Sequence, residues 1–221
     1  MRTTPASRTI VSIVSEHTIG GAQAIVTSRA NLIPDMVPGM PEADVAFLRG
    51  VRYTRVIQIN VGLTQAPPGV AASVVQVPRL VDEGLMAFTL EHNKAPGRAP
   101  EGKGLLGLMT MCEWAEEIWE EDDDTVTRKV FHATEKLLPG FSDNVDFVQI
   151  NRWDPCIVYS RPGLYKDLGR FNARRPADSR IRLAGAFTSS ANMCSATASG
   201  ERAVREVAAQ QRGAARQPVA A

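Results

Sequence analysis

The segment Arg182–Val207, which reads RLAGAFTSSANMCSATASGERAVREV, constrains the fold more than any other part of the sequence. A short apolar run ends at Gly185, a loop of small polar residues follows, and a helix is predicted over Ser195–Gln210. Small residues let a flat ligand approach the backbone closely. The free N–H groups and the positive dipole end of such a helix favour an anionic or electron-rich ligand edge. The segment therefore predicts a strand–loop–helix unit with a ligand site at the start of the helix.

The remaining sequence alternates short β-rich runs with two helical segments. Strands are predicted at Thr9–Val14, Ala24–Thr27, Val56–Leu63, Val74–Val77, Leu85–Leu90, Leu105–Met111, Val145–Ile150 and Ile181–Ala184. In the third of these runs, Ile57, Ile59, Val61 and Leu63 share one face. Helical spacing begins after Cys112 and continues in a second stripe that stops at Pro139-Gly140. This order predicts an α+β fold, a mixed sheet with its helices on one side.

Turn signals separate these elements. Gly20-Gly21 predicts the turn between the first two strands. Prolines at positions 34, 38 and 41, with Gly39, predict a loop, because no helix runs through that spacing of prolines. The stretch Trp153–Gly163 is also loop-like, and the tail Gly213–Ala221 is expected to be disordered.

Composition excludes several classes of protein. The net charge of +1 gives no electrostatic basis for binding nucleic acid. The three cysteines, Cys112, Cys156 and Cys194, are far apart, so neither a zinc site nor a disulfide framework is expected. Residues Met1–Ile10 contain two arginines but no long apolar core, so no signal peptide is predicted. The sequence has no apolar run of the roughly 20 residues that a membrane span needs. We expect a cytoplasmic location, and peripheral contact with a membrane is compatible with this expectation.

Two motifs resemble functional sites, but their sequence context does not support those functions. Gly102-Lys103-Gly104-Leu105-Leu106-Gly107 matches GxGxxG, but a dinucleotide site needs glycines that follow a strand and open a helix. Here they follow a proline-rich loop and enter an apolar strand. The acidic run Glu120–Asp124 is interpreted as a solvated helix end with an Asp N-cap rather than a metal site.

Five passages, in the same order along the chain as in the family, resemble the C-terminal half of the flavin amine oxidase, protoporphyrinogen oxidase and phytoene desaturase-like superfamily. Ser195–Val204 is similar to the helix that the family writes GAxxSGxxAA. Ala22–Pro34 (AQAIVTSRANLIP) resembles its return to the FAD domain, Asn93–Leu106 its PxRAPxGxxLL passage, and Val148–Gly163 its RWxxAxPxYxxG passage. Leu48–Leu63 is similar to the strand after that return. The resemblance covers nearly the whole chain.

The resemblance implies FAD as the cofactor and assigns site residues. The cofactor-binding positions are Gly185, Ala186, Ser195, Ala196 and Thr197; the substrate-cavity positions are Trp153, Tyr159 and Asn192. No catalytic acid or base is assigned and no metal is expected. For Trp153, packing in the core is favoured over lining a cavity. Tyr159 is left open between facing the flavin and being buried with a bonded hydroxyl, and Cys194 is expected to be a small buried residue.

Two departures from the family pattern bear on function. Ala186 stands where the family usually has an Asp that bonds the cofactor's ribityl or phosphate region, which reduces the expected FAD affinity. Asn192 stands where amine oxidases place a tyrosine beside the flavin. Amine oxidation is therefore less expected than desaturase-like or protoporphyrinogen oxidase-like chemistry.

The family's opening strand, GxGxxG turn and helix, which bind ADP, have no counterpart in these 221 residues. The expected organisation is a remnant of the FAD-binding domain at 1–40, a substrate-binding domain at 41–150, a segment at 151–210 that completes the FAD domain, and a tail at 211–221. The expected function is part of an enzyme that oxidises a small or lipophilic organic substrate by hydride transfer to FAD, with a complementary N-terminal half as partner. An oligomer is another expected state. Two alternatives stay open: an inactive truncated fragment, and a non-enzymatic module that binds a lipophilic ligand.

Overall fold

The computed structural model describes residues 8–11, 18–21 and 23–216, and it divides the chain into two compact units. One unit is the continuous stretch Thr54–Cys156, and the other combines the chain before Thr54 with the chain after Cys156. These limits differ from the boundaries expected after residues 40 and 150. The assignment of a function to each unit stays a prediction.

The elements of the described residues are as follows in chain order. The strands are β1 (Arg8–Val11), β2 (Thr18–Gly21), β3 (Ala24–Val26), β4 (Val56–Leu63), β5 (Val74–Gln76), β6 (Leu85–Leu90), β7 (Gly104–Thr110), β8 (Val145–Trp153) and β9 (Ile181–Leu183). The helices are α1 (Ile33–Met36), α2 (Glu42–Arg49), α3 (Glu91–Lys94), α4 (Cys112–Glu117), α5 (Asp123–Glu135), α6 (Leu164–Arg174) and α7 (Met193–Arg216).

The unit Thr54–Cys156 is built on an antiparallel sheet of order β5-β6-β7-β4-β8. The predicted alternation in β4 is confirmed, since Ile57, Ile59 and Val61 are fully buried and Leu63 is nearly so. Helices α4 and α5 contribute apolar residues to the same hydrophobic cluster. An amphipathic strand pattern thus becomes a sheet with one face against helices.

The structure supports the interpretations of the GxGxxG match and of the acidic run, both of which lie in this unit. Gly104 and Gly107 lie in strand β7, so the GxGxxG match enters a strand and opens no helix. The Asp122 carboxylate accepts the Thr125 N–H at 2.9 Å and caps α5, as the acidic run predicted. Residues 8–11, 18–21 and 23–216 contain no group of three His, Cys, Asp or Glu residues placed to hold a metal ion.

The other unit contains the parallel pair β3–β9, with Ala24 opposite Ile181 and Val26 opposite Leu183. Its core includes Ile33 and Leu48 from α1 and α2, and Phe171 from α6. The parallel and antiparallel sheets together confirm the mixed α+β class. Within the described ranges, no helix combines the length and apolar character needed to cross a bilayer.

Several local predictions for this unit are wrong. Gly20 and Gly21 belong to β2 and pair with Thr9 and Arg8, so they do not form the turn; glycine also adopts extended conformations. Residues 12–14 of the first predicted strand lie outside the described residues.

The region predicted as a loop from its prolines contains α1. Pro34 is tolerated because it lies in the first turn, where a backbone N–H has no hydrogen-bond acceptor within the helix. At the other end, α7 extends to Arg216, so the predicted disorder from Gly213 is wrong as far as that residue. Residues 217–221 are not described.

Candidate functional site

Two residues after β9, at Gly185, the backbone takes a conformation that only glycine adopts readily. Gly185 has φ 131° and ψ 173°, a region that is disfavoured for residues with a Cβ. Its carbonyl accepts the Thr188 N–H at 3.0 Å and the Thr188 hydroxyl at 2.8 Å. The resulting tight turn, Ala186–Thr188, redirects the chain toward α7. The strand itself ends at Leu183, two residues before the predicted end at Gly185.

Helix α7 begins at Met193, before the predicted start at Ser195. The Asn192 side-chain oxygen accepts the Ser195 N–H at 2.8 Å, and the Asn192 carbonyl accepts the Ala196 N–H at 3.1 Å. This is the geometry of an asparagine N-cap. Asn192 thus has a structural role that sequence reasoning missed, and its place in a substrate cavity stays a prediction.

The cap leaves two backbone donors at the start of α7. The N–H groups of Met193 and Cys194 have no hydrogen-bond acceptor in the described part of the chain. Because the first N–H groups of a helix lack intrahelical partners and lie at its positive end, they favour an electron-rich ligand edge. Among the predicted cofactor residues, Ser195 and Ala196 already donate their N–H groups to the cap.

A buried serine attaches the strand end to the helix. The Ser199 hydroxyl is almost fully buried, accepts the Gly185 N–H at 2.8 Å and donates to the Ala196 carbonyl at 2.7 Å. This bond fixes the first turns of α7 relative to Gly185. The serine lies inside the motif that carries the resemblance, but its partner is 14 residues away along the chain.

Apart from the exposed Met193, the side chains around the helix start are small and uncharged. Ala186 is partly buried and packs against the apolar cluster of this unit, and its methyl group offers no hydrogen-bond acceptor. Thr197 is exposed and Ala196 partly buried. Cys194 is also exposed, and the expectation that it is buried is therefore wrong.

The two predicted aromatic residues of the cavity are both exposed. Trp153 ends the edge strand β8 and keeps 49% of its surface accessible, so the favoured core packing is wrong. Tyr159 is 41% exposed, which excludes the buried alternative, and the Arg52 guanidinium lies 5.5 Å from its ring centroid. An edge strand has a neighbour on one side alone, which explains how a large side chain at its end remains uncovered.

Comparisons with known proteins identify the fold and the family model that fits this chain. The model described as flavin containing amine oxidoreductase matches residues 3–208. A search of curated proteins gave no significant match.

Solved structures of flavoenzymes share the fold. A protein assigned as a protoporphyrinogen oxidase from Exiguobacterium sp. 255-15 has a TM-score of 0.68 and 15% identity, over 88% of this chain and 42% of its own. Cyclohexylamine oxidase from Brevibacterium oxydans has a TM-score of 0.71 and 10% identity, over 94% and 47%. Putrescine oxidase bound to putrescine has a TM-score of 0.63 and 13% identity, over 87% and 44%. The chain therefore spans less than half the length of these structures.

Proposed function

Because the chain belongs to the flavin-containing amine oxidoreductase family, we propose that it forms the C-terminal part of an FAD-dependent oxidoreductase. In this proposal, the complete enzyme oxidises a small or lipophilic organic substrate by hydride transfer to FAD, which supplies the redox chemistry. The matched flavoenzymes are about twice as long as this chain. In the proposal, an N-terminal FAD-binding half completes the site.

The observation that supports this function most directly is the start of α7. The N–H groups of Met193 and Cys194 are unpartnered in the described chain, and Asn192 and Ser199 hold the turn that presents them. A flavin becomes negatively charged along one edge of its ring system when it is reduced. Backbone donors and the positive end of a helix would stabilise that charge, so this turn would favour the reduced cofactor.

Ala186 limits how tightly this chain would hold FAD. Its methyl side chain replaces the carboxylate that the family usually supplies, so the donors on the ribityl or phosphate side of the cofactor lose an acceptor. Ala186→Asp would restore one hydrogen bond, worth about 1 kcal/mol, or roughly twice that if it is charge-assisted. We expect FAD affinity to increase several-fold in the assembled enzyme. Unchanged or weaker affinity in a titration would contradict this assignment.

On the substrate side, we propose that Trp153, Tyr159 and Asn192 contact the substrate. Both aromatic rings are exposed and could offer apolar surface to a lipophilic molecule. The asparagine replaces an aromatic ring that amine oxidases place beside the flavin. We therefore favour a desaturase-like or protoporphyrinogen oxidase-like reaction over amine oxidation for this chain.

Flavin loading tests the proposal. The 221-residue chain is expressed alone and together with the segment encoded directly upstream, and visible absorption of the purified proteins is recorded. We expect flavin absorption in the co-expressed sample and a colourless chain alone, because the ADP half of the cofactor needs a glycine-rich turn. A colourless co-purified complex would contradict the proposal.

A matched pair of variants then locates the cofactor. Ala196→Trp, in the first turns of α7, should abolish flavin absorption in the co-expressed complex by blocking cofactor access. Ala198→Trp places the same bulk at an exposed position of the same helix and should retain it. Equal flavin content in the two variants would show that the cofactor does not approach α7 at its start.

A further inference from the structure

A pocket of about 620 Å³ lies apart from the start of α7, in the unit that combines the two ends of the chain. Its charged lining consists of three guanidinium groups, from Arg175, Arg182 and Arg202, and one carboxylate, from Glu206. The other lining residues are uncharged. Arg202 is nine residues beyond Met193 in the same helix, about 13 Å along its axis. The pocket is thus distinct from the start of α7, although Thr188 in its lining hydrogen-bonds Gly185.

Arg182 supplies a buried charge that its surroundings compensate incompletely. Its side chain is 9% exposed, and its two terminal nitrogens donate to the carbonyls of Ser179 at 2.6 Å and Ala177 at 2.7 Å. Its Nε lies 3.0 Å from the Glu206 carboxylate but forms no aligned hydrogen bond in the described chain. Glu206 is itself 48% exposed. A buried guanidinium therefore depends on one half-solvated anion, although buried charges normally require close pairing.

Arg175 adds a second guanidinium with donors to spare. Its Nη2 donates to the Ile181 carbonyl at 2.7 Å, and its remaining N–H groups have no hydrogen-bond acceptor among the described residues. Burial lowers the pKa of Arg175 from its ordinary value, and the Arg182 charge lowers it further, against the opposing effects of Asp44 and Glu206. The guanidinium thus lies where another negative charge would stabilise it.

Arg202, in α7, supplies the third guanidinium of the lining. Its side chain is exposed, and its contact within this chain is a long one, 3.5 Å from Nη2 to the Thr188 hydroxyl. Its donors therefore remain available to a ligand. Guanidinium groups present several N–H donors in a fixed planar fork, which suits the oxygens of phosphate groups.

We propose that this pocket binds a multiply charged oxyanion of the phosphate class, with Arg175 and Arg202 as donors and Arg182 as a fixed buried charge. Three cations around one carboxylate favour a ligand with more than one negative charge over a monoanion. Glu206 is the group that such a ligand would repel, so the carboxylate sets an upper limit on affinity. The proposal does not rest on the flavin assignment, because the site and its test contain no flavin.

Titration calorimetry of the full 221-residue chain with inorganic pyrophosphate tests the site. We expect saturable binding to the wild type and weaker or no binding of acetate. Arg175→Gln should weaken pyrophosphate binding about tenfold or more, since a hydrogen bond to a charged group is lost. Arg170→Gln is the matched control: it removes the same charge from an exposed residue of α6 that pairs with Asp167. That variant should bind almost as the wild type does.

The variant Glu206→Gln should gain affinity for pyrophosphate, whereas Arg175→Gln should lose it. Removing the repelling carboxylate should tighten pyrophosphate binding several-fold, an outcome that damage to the fold would not produce. Circular dichroism establishes that each variant is folded. No saturable binding by the wild type, equal losses in Arg175→Gln and Arg170→Gln, or weaker binding by Glu206→Gln would each overturn the proposal.

Discussion

The bond between Ser199 and Gly185 makes a quantitative prediction about the strand–helix unit. In Ser199→Ala, the Gly185 N–H loses the oxygen it donates to at 2.8 Å, at a position where the serine is 1% exposed. Leaving a buried donor unpaired costs about 1–3 kcal/mol. Alanine has the higher helix propensity, which returns roughly 0.5 kcal/mol or less. We expect the free energy of unfolding to fall by about 1–2 kcal/mol.

The distribution of aromatic residues allows the two units to be followed separately. The tryptophans, Trp114, Trp119 and Trp153, all lie in Thr54–Cys156, and the tyrosines, Tyr53, Tyr159 and Tyr165, all lie in the other unit. Urea unfolding is therefore recorded by tryptophan fluorescence and, separately, by the tyrosine signal in near-ultraviolet circular dichroism. The loss in Ser199→Ala should be present in the tyrosine transition.

Ser195→Ala is the control for this experiment, because it removes a hydroxyl from the same helix, and in the described chain that hydroxyl has no hydrogen-bond partner. It should leave the free energy of unfolding within about 0.5 kcal/mol of the wild type. Amide exchange at Gly185 should accelerate in the Ser199 variant alone. Equal stability losses in the two variants, or no loss in either, would refute the argument that this bond holds α7 in place.

Three further predictions concern stability. Asp122→Ala should cost about 1 kcal/mol in urea unfolding followed by tryptophan fluorescence, because α5 loses its N-cap. Hydrogen bonds from the turn after α5 lower the pKa of Glu135, so its stabilisation is present above the usual pKa of 4.5 and is lost as pH falls through the lowered value. Glu135→Gln should therefore lose less stability than the wild type between about pH 6 and about pH 3 in acid titrations. Gly185→Ala should destabilise by about 1–3 kcal/mol through backbone strain, whereas Gly169→Ala inside α6 should stabilise by roughly 0.5–1 kcal/mol; the reverse order would contradict the assigned backbone conformation at Gly185.

The sheet was predictable because its signal is local. In β4 the side chains alternate between the buried core and the other face, and that period of two is visible in the sequence. Helix α6 was missed although it carries a comparable signal, since Leu164, Leu168 and Phe171 follow helical spacing and are all buried. Pro162-Gly163 before it and Pro176 after it are loop signals, and they surround the apolar stripe.

Helix α2 has a weaker sequence signal than α6. Asp44, in its first turn, is 4% exposed and pairs with Arg174 at 2.9 Å. A buried charge breaks the amphipathic pattern, and its partner lies 130 residues later. No local rule supplies such a contact.

In the candidate site, too, the features with a local sequence signal were predictable and those that depend on tertiary contacts were not. The strand, the glycine and the helix were predicted from local chemistry and from the family resemblance. The N-cap at Asn192 had a signal, an asparagine three residues before the amide it caps, but the small-residue run drew the predicted helix start to Ser195. The roles of Ser199 and of the arginine pocket depend on tertiary contacts, which periodicity does not report.

The chain leaves one unit and returns to it at adjacent points. Tyr53 pairs with Val158 in an isolated antiparallel bridge, and the Cys156 N–H donates to the Thr54 carbonyl at 2.8 Å. A closed stem of this kind imposes little constraint on the length of the segment it carries. Residues 54–156 therefore form an insertion whose two ends lie next to each other in the other unit's chain. Recombination at those two ends could exchange one insertion for another while β9, Gly185 and α7 are inherited unchanged. Diversification of reactions within a single flavoprotein architecture could proceed by that route.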